Sequence, residues 1–132
     1  MTDDPFAGGA LTPERLGQIA LAGQVPVFAY LGHLLFDDVL FGGIAGLLIG
    51  LGTMLHLPYF IRRSRSRSGA APGDSYTGRA VIGLALDAAG IVAFGARFAV
   101  DGFLVPLAAA AVVALVLYVP LDRFLPPVRA GA

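Results

Sequence analysis

The stretch VLFGGIAGLLIGLGTMLHLPYFI, Val39–Ile61, contains no Asp, Glu, Lys or Arg. Coiled into an α-helix it extends about 34 Å at ~1.5 Å per residue, enough to cross a hydrocarbon layer of roughly 30 Å. Its single imidazole, His56, is its one candidate for a charge. A helix apolar on every face needs an apolar surrounding, and lipid is the simplest one. This segment therefore predicts a membrane span, and the rest of the chain can be read outward from it.

Immediately before it stands Asp37-Asp38, and before that an apolar segment from about Leu16 to Phe36. Thr12-Pro13-Glu14 marks the start of that segment as a helix: Thr as N-cap, Pro at the first helical position, Glu in the first turn. Gln18, Gln24, Pro26 and His33 make it the least apolar of the candidates, and a helix lying in the interface is the competing reading. Immediately after Val39–Ile61 comes RRSRSRSGAAPGDSYTG, Arg62–Gly78, whose Ser, Gly and Pro content predicts a flexible loop. A third apolar segment follows, Ala80–Val100, interrupted by Asp87. Asp101-Gly102 forms a turn, and a fourth segment runs Phe103–Leu121. Residues 1–11 read as a retained, disordered tail without the basic start of a secretory signal. Residues 12–125 form the membrane domain, and 126–132 form a tail that Pro126-Pro127 keeps from continuing as a helix.

Composition agrees. Hydrophobic residues make up 57% of the 132 and charged residues 14%, with a mean hydropathy of +0.79. Soluble domains carry about 25% charged residues. The formal net charge is zero, yet the charges are distributed unequally. Arg15, Arg62, Arg63, Arg65, Arg67, Arg79, Arg123 and Arg129 fall on one side of a four-span arrangement, and only Arg97 falls toward the other, beside Asp37, Asp38 and Asp101. Basic residues collect on the cytoplasmic side. The expected fold is thus an all-α integral membrane protein with four transmembrane helices in two hairpins and both termini in the cytoplasm. The outer turns, LFDDVLFGG and FAVDGFLVP, resemble one another faintly, through duplication or through the shared needs of a tight turn.

Gly42, Gly46 and Gly50 recur every fourth residue, with Gly43 and Gly52 beside them. That spacing lays bare backbone along one face, where a second helix can approach closely. Asp87 lies about 12 Å into its segment, among Ala80, Gly83, Gly90 and Phe94 at helical spacing. A carboxylate at that depth costs several kcal/mol unless paired, hydrated or protonated. Gln24 and Thr53 lie at the same depth counted from the cytoplasmic boundary, so an Asp87–Gln24–Thr53 polar cluster is expected. It is either a structural clasp with Asp87 protonated or a proton or cation site. Arg97 with Asp101, and His33 with Asp37, stand four residues apart and suggest an outer-rim polar network. His56 is expected near the cytoplasmic headgroups.

Arg62, Arg63, Arg65 and Arg67 would attract anionic lipid or nucleic acid, or simply set the topology. With no Cys in the chain, thiol chemistry and Cys-ligated metal are excluded. No nucleophile–base pair, metal-ligand cluster or phosphate-binding loop is legible, since GIAGLLIG follows no strand. Neither a cofactor nor a metal nor catalysis is expected. The composition and packing faces point to a structural, assembly or accessory subunit of a cell membrane, associating with itself or with other membrane subunits. One version is a membrane protein of an enveloped archaeal virus, its basic loop facing the genome and the virion membrane as its location. The alternative is a small oligomeric transporter or channel that uses Asp87.

Overall fold

A computed structural model describes residues 11–67 and 77–124. These form four helices: α1 (Pro13–Phe36), α2 (Val39–Arg67), α3 (Thr77–Ala96) and α4 (Leu104–Phe124). All four are long and apolar enough to cross a membrane.

Local chemistry fixes the ends. Thr12 Oγ1 accepts the Arg15 backbone N–H at 3.1 Å, and Pro13 fills the first turn, where an N–H would have no helical partner. The two aspartates between α1 and α2 divide the work of the turn. Asp37 adopts the left-handed conformation (φ 52°) that ends α1, a conformation Asp tolerates better than most residues. Asp38 turns its Oδ1 to the Phe41 N–H at 2.9 Å and caps α2.

Two boundaries differ from the sequence expectation. The helix of the second segment does not stop at Ile61 but continues to Arg67, so the first part of the expected loop is helical. Arg is a good helix former, and no Gly or Pro interrupts the Arg/Ser run before Gly69. Residues 68–76, the remainder of the expected loop apart from Thr77 and Gly78, lie outside the described residues, as do 1–10 and 125–132. At the other end α3 stops at Ala96 rather than Val100. The Phe98 N–H bonds to Gly95 O at 3.2 Å and the Ala99 N–H to Ala96 O at 3.0 Å, tightening the chain out of α-helix. Gly102, at φ 82°, completes the reversal.

By their glycine contacts α2 runs opposite to both α1 and α3, and glycine sets how close they come. A Cβ on Gly46 would lie 2.7 Å from Gln24 O and from Phe28 Cβ, so α1 rests directly on the α2 backbone. On a different face of α2, a Cβ on Gly52 would lie 2.5 Å from Gly83 O and 2.6 Å from Asp87 N. Thus α2 has two backbone-smooth faces and holds α1 on one and α3 on the other. α4 approaches the backbone of α3 most closely, and its Ala110 also joins the cluster around Phe41 of α2. Close backbone approach thus follows chain order, α1–α2–α3–α4. The reason lies in side-chain size: α1 and α4 carry Leu, Val and Tyr over much of their circumference, which limits close approach to a single side. A buried apolar cluster joins Phe41, Ala89, Ala93 and Ala110, with Phe36, Phe94, Leu107 and Ala114 packed against it.

Candidate functional site

Asp87 stands midway along the apolar span 78–96 of α3. Its Oδ2 lies 2.8 Å from Nε2 of His56 on α2, and both side chains are largely buried, 21% and 16% exposed. The pair sits one turn from the Gly52–Gly83 crossing, where a Cβ on Gly83 would lie 2.7 Å from the His56 backbone nitrogen. The crossing brings the backbones together, and the two side chains bridge the gap beside it. The other imidazole nitrogen of His56, Nδ1, is enclosed with no hydrogen-bond partner. Which partner donates in the pair depends on the tautomer of His56.

Asp87 is not joined to Gln24 or Thr53, the partners expected from depth. Those two do meet each other: Gln24 Nε2 donates to Thr53 Oγ1 at 3.3 Å, linking α1 to α2. The level of Asp87 matches that of Gly52-Thr53, as the Gly52 contact with the Asp87 backbone shows. What the count by depth omits is side-chain direction. A Cα–Cβ bond tilts toward the N-terminus of its own helix. Asp87 on α3 therefore leans toward the Arg-rich end, while His56 on antiparallel α2 leans away from it, and the two converge. Thr53, at the level of Asp87, leans in the opposite direction. His56 accordingly reaches Asp87 rather than the headgroups. Helix direction combined with this tilt is the signal by which sequence reading can find such a pair.

At the opposite end of the bundle, Arg97 donates to Asp101 Oδ1 at 3.0 Å and to Val100 O at 3.3 Å. The pair spans the turn after α3, not a helical face. The guanidinium lies over Phe36 and Phe41, 5.3 and 5.9 Å from the ring centroids, and is only 11% exposed. His33 Nδ1 lies 3.4 Å from Asp37 Oδ1. Both pairs line one open depression of about 630 Å³, with Leu34, Leu35, Phe36 and Phe98 between them. At the Arg-rich end, Arg62 donates to Glu14 Oε1 at 2.6 Å and ties the start of α1 to the end of α2. Sequence reading passed over this ion pair, although both residues flank apolar segments at the same boundary. Arg62 and Arg63 sit on helical α2, and the side chains of Arg65 and Arg67 lie outside the described residues. Among the described residues no group of three or more His, Cys, Asp or Glu side chains is arranged to hold a metal ion.

No known family matches the chain, and no curated protein or solved structure is significantly similar to it.

Proposed function

We propose that this chain is a non-catalytic multi-pass membrane protein with a structural, assembly or accessory role. In this reading α1–α2 and α3–α4 form two hairpins, and both termini and the Arg-rich end face the cytoplasm. The observation that carries the reading is the position of the His56–Asp87 pair: beside the Gly52–Gly83 crossing, where it clasps α2 to α3. Gln24 and Thr53 tie α1 to α2 in the same manner. Polar groups at membrane depth are thus used to hold one helix on the next.

The same pair also supports a second reading, proton- or cation-coupled transport by an oligomer. It places an imidazole 2.8 Å from the Asp87 carboxyl, so two ionisable side chains meet at one point of the span. The purified chain in liposomes separates the two. Under the accessory reading, liposomes carrying the chain dissipate an imposed pH or cation gradient no faster than protein-free liposomes. A flux that the chain adds and Asp87→Asn abolishes, with the fold retained, overturns the accessory reading in favour of transport.

A further inference from the structure

We infer a binding site for one anionic phospholipid in the cleft between α1 and α3 at the Arg-rich end, with Arg79 as its phosphate ligand. α1 and α3 both rest on α2 but make no close backbone approach to each other. The space left between them is a cavity of about 190 Å³ lined by Glu14 and Gln18 of α1, Met54, Leu55 and Pro58 of α2, and Arg79 of α3. Its floor, all from α2, is apolar. Its polar groups are supplied by the two flanking helices.

The charges in this cleft are unequally engaged. The Glu14 carboxylate is bonded to Arg62 at 2.6 Å, which offsets its repulsion of an anion. Arg79, in the first turn of α3, is exposed and makes no hydrogen bond or ion pair among the described residues. The cleft therefore offers a guanidinium and the Gln18 amide at its mouth above an apolar trough. That combination matches a phosphodiester headgroup attached to an acyl chain: Arg presents a planar fork of donors to phosphate oxygens, and the chain lies on Met54, Leu55 and Pro58. A free phosphate would use only the mouth. Basic pockets between membrane helices near a boundary are a recurring solution for acidic lipid headgroups. The site requires only that the helices span a bilayer, and it holds for either reading of function above.

The test is native mass spectrometry of the full chain in a neutral detergent, with phosphatidylglycerol or phosphatidylcholine of identical acyl chains added. One phosphatidylglycerol is expected to stay bound, in clear preference to phosphatidylcholine. Arg79→Gln should weaken its retention about fivefold or more, with Arg79→Lys retaining most of it. Gln18→Trp, at an exposed position, should block the mouth without changing charge and weaken retention as well, which keeps the test decisive if Arg79→Gln fails to fold. Arg123→Gln, at the same end but outside the cleft, should leave retention unchanged. Equal retention of phosphatidylcholine, or an equal effect of Arg123→Gln and Arg79→Gln, would reduce the site to general surface charge and overturn it. Displacement of phosphatidylglycerol by excess glycerol 3-phosphate would show that a free phosphate suffices, and would overturn the lipid assignment.

Discussion

At the scale of single residues, the His56–Asp87 contact is the costliest feature to keep in an apolar span and the most informative to remove. Taking away one member of a paired, largely buried couple strands the other without a partner. His56→Leu should therefore destabilise the fold by about 1–3 kcal/mol, read as a lower midpoint of unfolding in detergent. Replacing both, His56→Leu with Asp87→Leu, should recover much of that loss, because no polar group is then left unpaired. Asp87→Asn should be mild, since an amide can still hydrogen-bond to the ring. If the single His56 variant matches wild type, the pair does not clasp α2 to α3.

Helices meet here through backbone, so at the element scale the sensitive positions are glycines on crossing faces and not large core side chains. Gly46→Leu should separate α1 from α2, at a cost of about 1–3 kcal/mol for overpacking, because the new side chain would occupy the space of Gln24 O and Phe28 Cβ. Gly95→Leu is the matched control. Nothing lies within 4 Å of a Cβ there, so its midpoint should stay close to wild type. Equal effects at both positions would mean that the Gly46 face meets no helix. The turn between α1 and α2 provides a second comparison. Asp38→Ala removes the cap on Phe41 N–H and should cost about 1 kcal/mol, whereas Asp37→Asn should cost little, since Asn also tolerates the left-handed conformation.

For the whole molecule, the proposed orientation puts the end of α2 in the cytoplasm and the Asp101 turn outside. The chain has no native cysteine, so a single introduced thiol reports its side without background. Ser64 and Asp101 are both exposed. In intact cells an impermeant thiol reagent should label Asp101→Cys and spare Ser64→Cys until the membrane is opened. The reverse pattern would invert the topology, and labelling of both from outside would break the four-span arrangement. The order of close backbone contacts has a further consequence at this scale: α4 closely approaches the backbone of α3 only, so in hydrogen exchange it should lose protection before α2, which closely meets both α1 and α3.

The four apolar helices and their breaks at Asp37-Asp38 and Asp101-Gly102 were legible in the sequence itself. Each depends on local quantities: hydropathy summed over a span, a capping side chain. The continuation of α2 to Arg67 is hidden by the Ser-rich composition of that stretch, although Arg itself sustains a helix. What only the tertiary structure decided was partnership. Which face of α2 meets α1 and which meets α3 depends on the register at which glycines on different helices coincide. That register, together with the tilt of each Cα–Cβ bond toward its own N-terminus, sends Asp87 to His56 rather than to Thr53. Depth along the membrane normal is a one-dimensional quantity that sequence can count. The neighbour that a side chain then meets across an interface exists only once the helices are packed in register.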